Sequence, residues 1–132
     1  MNPFKNLFKK TEEKTQVSTS EINWIPLSSI EQLEEIESFS IENTVLVFKH
    51  STRCGISSMV KRQFEKSLDE DTRQMKLYYL DLISYREISN EIASRFNIRH
   101  QSPQLLLLKN GKVIDHASHH SILDVDLNKK HL

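Results

Sequence analysis

Cys54 is the only cysteine in the chain, and it stands in the run Lys49-His50-Ser51-Thr52-Arg53-Cys54-Gly55-Ile56-Ser57. A thiolate attacks disulfide sulfur, and the protonated thiol does not. One cysteine excludes an internal disulfide. It also excludes the two-thiol Cys-x-x-Cys cycle, because Ser57 holds the second position and a hydroxyl cannot exchange with sulfur. Any disulfide chemistry at Cys54 therefore hands its partner to an external thiol. Arg53 adds a positive charge that favours the anion, and Ser57, one helical turn on, can donate a hydrogen bond to it or be an ordinary helix-surface serine. His50 can assist proton transfer or be a solvent-facing structural histidine. The competing reading of Cys54 is a small buried hydrophobe with an inert thiol.

The flanking pattern supplies a scaffold for a nucleophile. Thr44-Val45-Leu46-Val47-Phe48 is a β-branched and aromatic run of strand length, and Ile56, Met59, Val60, Phe64 and Leu68 recur at helical spacing. The stretch reads strand, short loop, helix, with Cys54 on the first helical turn. There the unpaired N–H groups and the helix dipole stabilise an anion and lower a thiol's pKa.

The rest of the chain repeats this alternation. Residues 22–27 read as a short strand, placed at an edge or a strand end by Pro26. Ser28 and Ser29 offer N-caps with Glu31 and Gln32 as capping-box partners, and Ile30, Leu33, Ile36 and Phe39 give the next helix its apolar face. After Leu68 the polar run 69–74 ends the cysteine helix. Residues 75–81 read as a third strand, and Tyr85, Ile88, Ile92 and Phe96 mark a third helix over about 84–96. Leu105-Leu106-Leu107-Leu108 reads as a strand covered on both faces, Asn110-Gly111 as a hairpin turn, and residues 112–116 as its return strand. Ser121 is expected to cap a final helix, with Ile122, Val125 and Leu132 facing inward. The order predicts an α/β fold: a mixed, mostly parallel central sheet with helices on both faces.

Composition narrows the function classes. Lysine plus arginine equals aspartate plus glutamate, 18 of each, so the chain lacks the basic excess that nucleic-acid binding usually needs. No apolar stretch reaches the roughly 18 residues of a membrane span, and single-cysteine chains are typical of reducing compartments, so a cytoplasmic location is expected. Residues 1–20, with Lys5, Lys9, Lys10 and Lys14 and a polar run, read as a flexible tail ahead of one domain over 21–132. Within that tail, Phe4, Leu7 and Phe8 form an apolar cluster suited to a frayed helix or a surface contact. His116, His119 and His120 lie close together, but with no cysteine or carboxylate at a ligand spacing no metal site is expected. Arg99, His100 and Lys112 are available to the carboxylates of a small thiol if their loops converge.

A cysteine at the start of the helix after the second strand, with Ser102-Pro103 directly before the strand that leads into a hairpin, resembles the thioredoxin fold with its cis-proline loop. The resemblance covers about residue 22 to the C-terminus. It implies that the Ser102–Pro103 bond is cis and lies beside Cys54, and that Ser102 offers backbone groups to a bound substrate. More closely, His50-Ser51-Thr52-Arg53-Cys54-Gly55-Ile56-Ser57, Gln101-Ser102-Pro103-Gln104 and Ala117-Ser118-His119 resemble the monothiol bacilliredoxins, thioredoxin-like proteins of the bacillithiol system. Many members carry proline where this chain has Gly55.

That resemblance implies a thiol–disulfide oxidoreductase that removes bacillithiol from S-bacillithiolated proteins. Cys54 would be the nucleophile, bacillithiol or another low-molecular-weight thiol the co-substrate, and no cofactor would be bound. Thr52, His50 and His119 are the weaker candidates for contact with the thiol ligand. Two other classes stay open. Cys-Gly-Ile-Ser differs by one residue from the Cys-Gly-Phe-Ser of monothiol glutaredoxins, which carry an iron–sulfur cluster. Against that class, Ser102 stands where they usually have threonine or valine, and their Gly-Gly-x-Asp segment is missing. The other is a thioredoxin-like binding module with an inert thiol.

Overall fold

The computed structural model describes residues 22–125 and 127. The expected tail and its Phe4, Leu7 and Phe8 cluster lie outside the described residues, as does Leu132. Five strands, β1 (Trp24–Pro26), β2 (Val45–His50), β3 (Lys76–Asp81), β4 (Gln104–Lys109) and β5 (Lys112–Ser118), form one sheet in the order β1-β3-β2-β4-β5. The helices are α1 (Glu31–Phe39), α2 (Gly55–Ser67), α3 (Glu70–Arg73) and α4 (Arg86–Arg95), and a 3-10 helix, η1, spans His119–Asp124. β1 and β2 both run parallel to β3, while β4 runs antiparallel to both β2 and β5, which gives the mixed α/β sheet expected.

β2 is central, and all six of its residues are buried. Its alternation divides the core. Val45 and Val47 join Tyr78, Leu80, Leu106 and Leu108 under Leu33 and Ile36 of α1 and Ile88 and Ile92 of α4. Leu46 and Phe48 join Leu77, Leu105 and Leu107 under Val60 and Phe64 of α2 and Ile122 of η1. Each such side chain contributes about 1.5–3 kcal/mol by leaving water, so the sheet is clamped from both faces at the strand that leads into Cys54.

Local chemistry sets the ends of the elements. At the start of α1 the glutamine half of the expected capping box forms: Gln32 Oε1 accepts the backbone N–H groups of Ser28 (2.7 Å) and Ser29 (3.0 Å). The serine half does not, since Ile30 is the N-cap and makes no side-chain bond. Asn110 and Gly111 both have positive φ (56° and 71°), as a type I′ hairpin turn requires. Their N–H groups are held by buried Ser40 at the end of α1, through its carbonyl (2.6 Å) and its hydroxyl (2.8 Å).

Three sequence expectations need correction. β2 runs on through Lys49 and His50, because pairing with β3 and β4 carries the ladder past Phe48. The polar run after Leu68 contains the short helix α3, where the Asp69 carboxylate accepts the Thr72 N–H at 2.8 Å. Among the described residues the expected final helix is the 3-10 turn η1, which follows Ser118, with Ser121 inside it. Ile122 is buried as expected, and Val125 packs against the same core. A short 3-10 turn suffices here to bring buried Ile122 and partly buried Leu123 onto this core.

Candidate active site

Cys54 is the N-cap of α2. Its backbone is extended (φ −105°, ψ 118°), the conformation an N-cap needs to let the chain enter a helix. Its N–H donates to Ser51 O (3.1 Å), closing a turn over 51–54, and its carbonyl accepts the Ser58 N–H (3.1 Å), the first bond of the helix. The thiol is free and half-buried. It makes no cap bond to the amides of the first turn. Thr52, Arg53 and Gly55 are exposed, and so are Ile56 and Met59 in the first turns of α2.

Ser57 is not the surface serine of one sequence reading: it is fully buried, and its Oγ lies 2.7 Å from His50 Nδ1. The same oxygen accepts the Ser51 N–H at 3.3 Å. One hydroxyl thus ties the end of β2, the turn before Cys54 and the first turn of α2 together. His50 is correspondingly not solvent-facing: it is 5% exposed, packed at 5.7 Å from the Tyr79 ring and 6.5 Å from Phe48. Burial, and then the positive charge of Lys61, hold its pKa below the usual imidazole value, with Asp81 and Glu65 pulling the other way.

The Ser102–Pro103 bond is cis. Gln104, the next residue, pairs with Lys49 of β2 and with Ser118 of β5, so the proline loop lies at the sheet edge where β2 delivers the Cys54 turn. His119 reaches the same loop through its backbone, with positive φ and its N–H donating to Pro103 O at 3.0 Å. Its side chain is exposed.

The structure does not bring Arg99, His100 and Lys112 together. Lys112 pairs with Lys109 at the opposite end of β4, His100 Nδ1 is 3.0 Å from Ser89 Oγ, and Arg99 contributes its carbonyl to Gln104 Nε2. Among the described residues no group of three or more histidine, cysteine or carboxylate side chains is placed to hold a metal. No helix of the described residues is long and apolar enough to cross a membrane.

Sequence reading missed Lys49, a fully buried lysine on the α1/α4 face of β2. The signal was available in the alternation Val45, Val47, Lys49, once the strand is extended by two residues.

Comparison with known proteins agrees with this geometry. A solved structure described as an oxidoreductase candidate with a thioredoxin fold is 36% identical, with a TM-score of 0.69, covering 81% of this chain and 92% of that one. Thioredoxin from Trypanosoma brucei brucei (21% identity, TM-score 0.61, 83% of this chain and 88% of that one) shares the fold. So does reduced Schistosoma mansoni thioredoxin pre-protein (22%, 0.63, 83% and 99%). The family model for monothiol bacilliredoxin BrxC matches residues 25–127. With its lone cysteine at the head of α2 and a cis-proline loop at the same sheet edge, the chain belongs to the monothiol bacilliredoxin family, thiol oxidoreductases built on a thioredoxin fold.

Proposed function

We propose that the protein removes bacillithiol from S-bacillithiolated protein cysteines, in the cytoplasm, by a monothiol cycle at Cys54. The thiolate of Cys54 attacks the bacillithiol sulfur of the mixed disulfide. The substrate cysteine leaves as a thiolate and takes a proton from water, and Cys54 now carries the bacillithiol. A second low-molecular-weight thiol attacks that adduct, releasing a small-molecule disulfide and restoring Cys54. Per turn one protein cysteine is reduced and one free thiol is oxidised, while the bacillithiol sulfur passes from one disulfide to the next.

The observation that supports this reading best is the contrast between Cys54 and Ser57. The first is half-buried at the mouth of the site. The second, at the position of a resolving thiol, is fully buried, and its hydroxyl is engaged by His50 and Ser51. Exposed Ile56 and Met59 near the start of α2 suit a protein substrate, and Ser102 ahead of the cis-proline suits the substrate's backbone.

The test is turnover of a bacillithiolated protein, followed by intact mass. Wild type should form one bacillithiol adduct, on Cys54, and should need free thiol in every cycle. Cys54→Ala should be inactive. Turnover by that variant, or by wild type without added thiol, would leave the inert binding module as the better account.

A further inference from the structure

The hydrogen bonds around Ser57 Oγ do not balance in one way only. The oxygen carries one proton and two lone pairs. The Ser51 N–H, always a donor, occupies one lone pair. The 2.7 Å contact to His50 Nδ1 then has two solutions. With Nδ1 bare, the Ser57 hydroxyl donates to the ring. With Nδ1 protonated, the ring donates to the second lone pair and the serine proton must point elsewhere. In a capping box the N3 side chain reaches back across the first helical turn to the N-cap residue. Cys54 and Ser57 hold those two positions in α2.

We propose that Ser57 is a positioning residue that relays the state of His50 to Cys54: a proton on Nδ1 turns the Ser57 hydroxyl from the imidazole to the Cys54 sulfur. The reading rests on Cys54 being the nucleophile and extends it, since the buried hydroxyl becomes a donor to the thiolate only when His50 is charged. Lys61 and Glu65 of α2 and Asp81 and Tyr79 of β3 face the ring on this side of the sheet. Lys61 opposes the proton on the ring and the two carboxylates favour it, so the switch operates on the acid side of the ordinary imidazole range.

The test reads the thiolate directly by its ultraviolet absorbance across pH in reduced wild type, Ser57→Ala, Ser57→Thr and His50→Asn. It needs no bacillithiol, so failure of the proposed substrate leaves it intact. A hydrogen bond to a charged group corresponds to about a tenfold effect. In the acid range Ser57→Ala and His50→Asn should therefore lose about tenfold in thiolate population, and Ser57→Thr should restore it. Undiminished coupling in Ser57→Ala would overturn the proposal, because the imidazolium charge alone would then suffice. Should Ser57→Ala not fold, nuclear magnetic resonance titration of His50 decides. By reciprocity His50 must titrate at lower pH in Cys54→Ala than in wild type, and an unchanged titration would overturn the relay.

Discussion

Lys49 and Gln104 stand directly opposite each other across the β2–β4 pair, and their side chains do not bond. The Gln104 amide is already committed, its nitrogen to Arg99 O (2.9 Å) and its oxygen to the Gln101 N–H (3.4 Å), so it anchors the loop that leads to the cis-proline. The Lys49 ammonium is left buried with no hydrogen-bond partner among the described residues. Burial lowers its pKa from 10.5 to about 8.

Lys49→Met keeps the apolar stem and removes the buried charge. It should stabilise the fold by up to about 3 kcal/mol at neutral pH, the equivalent of that pKa shift. Between pH 8 and 10.5 the unfolded chain holds the lysine proton and the native chain does not, so native stability rises with pH through that window and the advantage of the variant shrinks. Tyr78 and Tyr79, whose pKa values burial raises above the usual 10, push the other way at the top of the window and cancel in the difference. Urea denaturation of both proteins at several pH values measures it, and a variant less stable than wild type at neutral pH would show that the ammonium has a partner in solution.

Gly55→Pro should be tolerated and stabilising by about 0.4–1 kcal/mol. Gly55 is the first residue of α2, where the N–H has no helical partner to lose. Cys54 already has the extended backbone that a following proline demands, and a Cβ at position 55 meets nothing within 4 Å. Thermal unfolding checks the sign; a lower midpoint contradicts it.

Lys61→Met removes the positive charge that helps keep His50 neutral, so the His50 pKa should rise toward the ordinary imidazole value. The native ring now binds its proton less readily than the unfolded one, which means stability that is present near neutrality and lost on acidification. The variant should lose less on acidification. Proton resonance titration of the ring reads the first effect, and chemical denaturation at acid and neutral pH the second.

Ser57→Cys supplies the missing resolver at a cost. The reduced form should lose about 1–3 kcal/mol, because the Ser51 N–H and the His50 ring lose a buried hydroxyl partner. Its oxidised form should carry a disulfide to Cys54, seen as the loss of two hydrogens by mass and as a lower yield of trapped Cys54 adduct. Unchanged adduct yield would mean that the two side chains do not meet.

What was legible in the sequence was what local pattern controls. The strand-turn-helix around Cys54, the Asn110-Gly111 turn and the division of apolar residues between two faces all follow from spacing and from residues with narrow backbone preferences. The partners of Ser57 and His50 were not legible, because the choice between a surface and a buried serine depends on how closely α2 packs on β2. Lys49 was hidden for a related reason: a lysine ordinarily signals solvent, and only the ladder to Gln104 shows that the strand continues through it. The end of the chain was misread because Ser121 satisfies a capping rule that the positive φ of His119 and its bond to Pro103 override.

The antiparallel seating of β4 against β2 also has a consequence in time. About fifty residues separate Cys54 from Pro103, and the strand that follows that proline is the one that completes the site's edge of the sheet. At roughly 5–20 residues per second, a ribosome spends about 2–10 s between the two. For that interval the nascent chain carries its only thiol without the proline loop that leads into β4. The candidate site is therefore incomplete until β4, and then β5 and η1, have followed, and an oxidant that reaches Cys54 during synthesis meets a thiol without its folded surroundings.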